Sequence, residues 1–284
     1  MNHRVRALLG VGVYALLALV VFPIVGRWLK SVMHGADGTV VYLVDRMMQL
    51  AAILVFGWAA AAIEKRPFAS FGLPWRGALR SRFWRGALLG IVSLSLLVAA
   101  LAALGALELR PPAASPLVSA GFGLGYGVVF LLLATREEFL YRGYGQAKLA
   151  EATQFWLAAV ATTAWFVATH ATSSSENPIG LVNVALFGLV ACLTLRRTGD
   201  LWFAIGLHAA WDWGETWLYG VSDSGHAAAP GHLFTANVPA SVPAWLTGGP
   251  VGPEGSALCI PVVVLIGLAC ARWLRTPEPA PPTS

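Results

Sequence analysis

Three polar motifs interrupt apolar stretches of this chain. They read Arg136-Glu137-Glu138-Phe139-Leu140-Tyr141-Arg142, then Phe166-Val167-Ala168-Thr169-His170, then His208-Ala209-Ala210-Trp211-Asp212, with Glu215 three residues further on. An ionisable side chain at the centre of a membrane segment costs at least ~2.5–3.5 kcal/mol, so such residues usually have a task. Helix geometry divides the first motif. Glu138 and Arg142 are four residues apart on one face and can form an ion pair. Glu137 points roughly 100° away and lacks that partner. One glutamate is therefore structural, and the other is free to act as a general base. Phe166 stands one helical turn below His170. His208, Asp212 and Glu215, at i, i+4 and i+7, make one stripe.

The residue types present and absent narrow the chemistry. No G-x-S-G, G-x-G-D or H-E-x-x-H motif occurs, and Thr198-Gly199-Asp200 does not fit the second of these. No Ser or Cys stands in a nucleophile motif. A glutamate and histidines without a nucleophile point to water activated by a carboxylate. The His208–Asp212 pair is then placed to donate hydrogen bonds to a developing oxyanion. Two other readings use the same residues. A proton-coupled transporter would employ them as a relay. A non-catalytic membrane protein that binds a toxin or a signalling partner, as immunity proteins do, would use them for packing or recognition.

The elements that must hold these motifs follow from composition. The 284 residues are 57% hydrophobic and 12% charged, with mean hydropathy +0.67, where soluble domains carry about 25% charged residues. That excludes a soluble globule, and the apolar content excludes disorder. Cys192, Cys259 and Cys270 all lie in apolar runs, so they read as small buried hydrophobes and not as a disulfide framework. Eight runs are candidate spans: Ala7–Gly26, Val41–Ile63, Gly86–Leu107, Leu117–Thr135, Phe155–Ala171, Ile179–Leu195, Leu201–Tyr219 and Ala257–Leu274. The first is too long for a signal peptide and lacks a small-residue cleavage site. With eight spans, 15 of the 19 Lys and Arg residues fall on one side, which predicts both termini in the cytoplasm. The net charge of +5 therefore reports orientation, and no nucleic-acid partner is expected.

The predicted fold is all-α, a polytopic integral membrane helical bundle. Its parts are an N-terminal region 1–116, a core 117–220, an outer loop 221–256, a last span 257–276 and a disordered Pro-rich tail 277–284. Within the first part, the basic and aromatic segment 64–85 reads either as an interfacial helix or as a cytoplasmic connector. The outer loop contains no Lys or Arg between 222 and 256. Gly121, Gly123, Gly125 and Gly127 give two overlapping GxxxG spacings, which predict close approach of a neighbouring helix.

Glu137-Glu138-x-x-x-Arg142, Phe166-x-x-x-His170 and His208-x-x-x-Asp212, in that order on three separate apolar segments, resemble the CPBP family of intramembrane proteases. That family includes the type II CAAX prenyl endopeptidases and the bacteriocin-processing and immunity-type membrane proteins. The resemblance covers roughly 117–218, and Gly249-Pro250-Val251-Gly252-Pro253-Glu254-Gly255 also looks family-like. It implies a helical core whose active site opens within the bilayer. It also implies endopeptidase activity on membrane-associated peptides or proteins, which are prenylated for some relatives. Carried over residue by residue, Glu137 activates water with help from His170, His208 and Asp212 form the oxyanion site, and Glu138 and Arg142 hold the site or orient substrate. Many relatives have Asn at the position of Asp212. An ionised Asp cannot donate to an oxyanion, so Asp212 would be protonated, orient His208 or bind a metal. Some members have been called metalloproteases, which makes Zn²⁺ on His170, His208 and Glu137 the metal expectation, with no metal obligatory. The expected location is a prokaryotic plasma membrane. The reading requires Glu137, His170 and His208 to converge in one cavity, and hence the fourth apolar helix to continue past Arg142.

Overall fold

The computed structural model describes residues 2–111, 115–227 and 230–274. Arg275 and the tail 277–284, expected to be disordered, lie outside the described residues. The apolar runs fold as helices. They are α1 (His3–Leu16), joined through a π-helical turn to α2 (Phe22–Val32), then α3 (Gly38–Ile63), α4 (Ser81–Ala103), α5 (Pro116–Arg142), α6 (Tyr144–Ala152), α7 (Phe155–His170), α8 (Pro178–Thr198), α9 (Trp202–Trp213), the short α10 (Ala244–Thr247) and α11 (Cys259–Trp273). Helix starts follow capping chemistry: Asp37 accepts from the Thr39 and Val40 amides, and Asn177 accepts from Gly180 ahead of Pro178. About 75% of the chain is helical. Two three-residue strands, β1 (Glu108–Arg110) and β2 (Thr235–Asn237), pair antiparallel with Leu109 opposite Ala236.

Among the described residues, five helical stretches are long and apolar enough to cross a membrane: 3–32, 38–63, 81–103, 116–152 and 178–198. The helices at 155–170 and 259–273 are apolar but shorter. Ile63, Leu117 and Leu124 are each more than three-quarters exposed, a distribution that suits a lipid-facing surface and not one in water. The chain is an integral membrane protein built almost entirely of helices.

Helices α4 and α9 come closest, and glycine allows it. A Cβ on Gly86 would lie 2.1 Å from the Phe203 carbonyl oxygen, and one on Gly90 would lie 2.4 Å from that of Leu207. From the other side, a Cβ on Gly206 would lie 2.1 Å from the Phe83 carbonyl. Gly86 and Gly90 have the GxxxG spacing, so backbone meets backbone here. The spacing in α5 behaves differently from expectation. Gly121 and Gly125 have nothing within 4 Å of an added Cβ, whereas Gly123 receives the Trp217 indole and its carbonyl accepts from Trp213 Nε1 at 2.8 Å. Two indole rings fill that groove where a helix backbone was expected, because the bulky Trp213 and Trp217 side chains hold their helix away.

The 64–85 segment forms short 3₁₀ turns at Phe68–Phe71 and Trp75–Gly77. These turns are fastened to the bundle by Leu201 N–H donating to Gly72 O at 2.7 Å and Trp202 Nε1 donating to Pro74 O at 2.9 Å. Beside it, Lys148 bridges Glu64 at 2.9 Å and Glu151 at 2.5 Å, and Arg66 pairs with Glu151. This network fixes α6 at the basic end of the bundle.

Gly143 breaks the long helix between α5 and α6, with φ −81° and ψ −121°. A Cβ there would lie 2.4 Å from the Phe139 carbonyl oxygen. The chain resumes as α6, so the helical path does continue past Arg142. Glu137 lies fifteen residues before the end of α6, and His170 fifteen residues after the start of α7. The 2.7 Å contact between the Tyr141 and Thr169 hydroxyls brings the two levels together.

Substitution at the glycine contact tests this packing. Gly206→Val or Gly86→Val should lower the Tm of the purified protein in detergent and broaden its size-exclusion peak. The overpacking penalty is at least about 1–3 kcal/mol. Gly125→Val, facing open space, should leave both unchanged.

Candidate active site

The two glutamates of α5 have different surroundings. Glu138 is completely buried. Its Oε1 lies 3.3 Å from Arg142 Nη1, which is itself fully buried, and 2.9 Å from His208 Nδ1. Glu137 keeps 24% of its side chain exposed and pairs through Oε1 with Arg136 Nη1 at 3.1 Å. The sequence reading left Glu137 without a cation, and the neighbouring Arg136 supplies one. Arg136 is in turn held by Gln49 of α3, whose Oε1 accepts from its Nε at 3.0 Å and its Nη2 at 2.5 Å. Gln49 is a positioning residue that the sequence did not single out, because it lies 87 positions away. A buried amide facing a charged motif is visible only in three dimensions.

His208 stands among three carboxylates. With Nδ1 against Glu138, its Nε2 lies 3.5 Å from Asp212 Oδ2 and 3.9 Å from Glu137 Oε2. The ring packs on Phe187 of α8, with centroids 5.0 Å apart. His170 is placed by the helix it ends: its Nδ1 bonds the Phe166 carbonyl at 2.9 Å, and its ring meets Phe166 edge-on at 4.4 Å. The bond to the carbonyl requires the proton on Nδ1, which leaves Nε2 as the acceptor in the neutral ring.

Phe166 ties the motifs together. Arg142 lies over its ring at 4.4 Å from the centroid, on the way from Glu138 to His170. Alongside, the Tyr141 and Thr169 hydroxyls are 2.7 Å apart and join α5 to α7 again. Gly188 of α8 leaves the room that the Arg142 guanidinium occupies, since a Cβ there would lie 3.0 Å from Nη2.

One cavity collects these groups. Phe166, His170, His208, Trp211 and Asp212 line it, together with Asn183, Val184 and Phe187 of α8, around a small space of about 40 Å³. Glu137 is not among its lining residues; its Oε2 lies 3.9 Å from Nε2 of His208, which is. Ser224 and Glu254, from the 221–256 segment, form part of its wall. Asp223 lies beside them, and burial, reinforced by the charges of Asp212 and Glu254, pushes its carboxyl well above the usual carboxylate range. Among the described residues, the set of three acidic or metal-ligating side chains whose ligand atoms all lie within 4.8 Å is Asp212, Asp223 and Glu254. His170, His208 and Glu137, the trio expected for Zn²⁺, are not gathered in that way. The Nδ1 of His208 faces Glu138 and that of His170 a backbone carbonyl, which leaves Nε2 as the open nitrogen of each ring.

Residues 124–214 match the family model of the type II CAAX prenyl endopeptidase Rce1-like proteins. The match supports membership of the CPBP family and spans all seven motif residues, from Glu137 to Asp212, in about a third of the sequence. No curated protein and no solved structure matches the chain significantly.

The two glutamates should separate in a stability measurement. Glu138→Ala leaves Arg142 buried without its carboxylate and should cost about 3–5 kcal/mol, read as a large drop in Tm or a loss of folded protein. Glu137→Gln keeps the shape and a hydrogen-bond acceptor for Arg136, and should shift Tm little.

Proposed function

We propose that the chain is an intramembrane endopeptidase that hydrolyses peptide bonds of membrane-associated substrates with water activated by Glu137. What carries this reading is the placement of Glu137. Of the two glutamates it alone is partly exposed, it is held by Arg136, and its Oε2 lies 3.9 Å from Nε2 of His208, which lines the cavity.

In this mechanism a water lies between Glu137 and the scissile carbonyl. Glu137 takes its proton as the oxygen attacks, with His170 assisting through Nε2. Negative charge gathers on the carbonyl oxygen. His208, doubly protonated and fixed by Nδ1 against Glu138, donates to that oxygen through Nε2. The tetrahedral intermediate collapses when the proton on Glu137 passes to the leaving amine. Asp212 orients the His208 ring. Glu138 and Arg142 keep both helices in register and stay outside the chemistry. A hydrophobic wall formed by Phe166, Val184, Phe187 and Val263 suits a lipid-attached or apolar peptide entering sideways from the bilayer. Prenylated peptides ending in a CAAX sequence are the substrate class that the matched family name carries, and they belong to this proposal.

The proposed topology has eight crossings, with α1 and α2 forming the first and α9 with its π-turn the seventh, and both termini in the cytoplasm of a prokaryotic plasma membrane. The one-sided distribution of Lys and Arg supports that orientation.

The test is mass spectrometry of peptides released from membranes that contain the wild-type chain, set beside Glu137→Gln and His170→Ala. Cleavage should fall at least about 10²-fold in each variant, the usual weight of a general acid or base, while Tm stays near wild type. Folded variants that both cleave like wild type would overturn the mechanism. Protection of cells from a toxin that survives both substitutions would favour a non-catalytic partner.

A further inference from the structure

The 221–256 segment places two carboxylates against α9 that the three motifs do not include. Two arms of this segment are clasped together. Asp223 and His226 exchange backbone hydrogen bonds at 2.9 and 2.7 Å, and the Gly225 amide donates to Val251 O at 3.0 Å. Asn183 of α8 donates to the carbonyls of Glu254 at 2.7 Å and Ser256 at 3.1 Å. Ser224 Oγ donates to Glu254 Oε2 at 2.6 Å. These bonds engage backbone and one Glu254 carboxylate oxygen, and the Asp223 and Glu254 carboxylates lie within 4.8 Å of that of Asp212.

The charge balance there is one-sided. No Lys or Arg occurs between 222 and 256. Among the described residues no Lys or Arg pairs with Asp223, Glu254 or Glu215, and Asp212 has only His208. Glu215 supplies a separate observation. It lies three residues beyond Asp212 in a π-helical turn (Gly214–Tyr219), and is completely buried. Both its carboxylate oxygens are without a hydrogen-bond partner, and the charges that bear on it most are Glu254, Asp223 and Asp212. A buried carboxylate kept ionised without a partner costs several kcal/mol.

We propose that Asp212, Asp223 and Glu254, backed by Glu215, bind a hard divalent cation of the calcium type, which fastens the 221–256 segment to α9 over the cavity. The ligand atoms lie within 4.8 Å of one another, and an all-oxygen set of several carboxylates suits Ca²⁺, whose six to eight oxygen ligands at about 2.3–2.6 Å tolerate irregular geometry. Zn²⁺ would favour nitrogen or sulfur ligands, which this group lacks. Asp223 and Glu254 lie outside the matched 124–214 region. The proposal does not depend on peptide cleavage.

The test uses the full chain purified in detergent. Ca²⁺ titrated by calorimetry should bind saturably, and Tb³⁺ as its luminescent substitute should be sensitised by Trp211, which lines the same cavity. Ca²⁺ should raise the wild-type Tm. Asp223→Asn and Glu254→Gln should each weaken Ca²⁺ binding at least tenfold and abolish the Tm rise. Glu137→Gln should bind Ca²⁺ normally while losing cleavage, so the two readings fail separately. Trp211→Phe should lose most Tb³⁺ emission and keep calorimetric Ca²⁺ binding, and it does not require any carboxylate variant to fold. No saturable binding by wild type, binding that survives both carboxylate substitutions, or Tb³⁺ emission unaffected in Trp211→Phe would each overturn the site.

Discussion

The Glu138 carboxylate, buried to zero exposure between Arg142 and His208, is the constraint on which the remaining geometry depends. A charge in that position cannot be left alone, and the two groups that compensate it lie on different helices. Arg142 belongs to the same helix one turn later, so its partnership is set by local spacing. His208 belongs to α9, so its partnership forces α9 to lie at a fixed height and rotation against α5. Once Nδ1 of His208 is committed to Glu138, its other nitrogen can face only the cavity. Arg142 extends the consequence to α7, because its guanidinium lies on Phe166, and Phe166 carries His170 on its edge and on its carbonyl. Buried ion pairs stabilise little relative to apolar packing of the same volume. This one acts by specification, since a slip of one residue in α5 or α9 would leave a charge unpaired in a low dielectric.

Two devices make that arrangement reachable. Gly86, Gly90 and Gly206 let α9 approach α4 at backbone distance, which pushes the His208 face of α9 toward α5. At the basic end, the cluster of Glu64, Arg66, Lys148 and Glu151 holds α6. The level of the site is supported from the end of the bundle where charge is tolerated, while its rotation is set from inside, where it is not.

Which parts were legible in the sequence follows from the range of the interactions. The Glu138–Arg142 pair and the Phe166–His170 contact are four residues apart, so helix geometry alone exposes them. The apolar runs were equally plain, because a segment that lies in lipid must be apolar along its length. Gln49 was not legible, since an amide in α3 acquires meaning only when Arg136 arrives from 87 positions away. The glycines show the limit of a spacing rule. Gly86 and Gly90 mark a helix contact and Gly121 and Gly125 do not, although both pairs are four residues apart. The facing element decides: Gly206 of α9 meets α4, whereas nothing lies within 4 Å of a Cβ at Gly121 or Gly125. Asp223 and Glu254 belong to a loop without periodicity, and nothing in their neighbours announces Asp212.

Asp212 joins the two halves of this picture. On one side its carboxylate meets His208 Nε2 at 3.5 Å, and on the other it belongs to a group of acids that exceeds the nearby positive charge. An ionised Asp212 cannot donate to an oxyanion, so its contribution to hydrolysis must pass through the orientation and charge of His208. That contribution depends on how Asp212 divides its two oxygens. With a cation among the acids, one oxygen is drawn toward the loop and the other remains for His208. In that proposal the acids link the loop at Asp223 and Glu254 to the histidine that faces Glu137, because Asp212 lies 3.5 Å from His208 and its ligand atom lies within 4.8 Å of theirs.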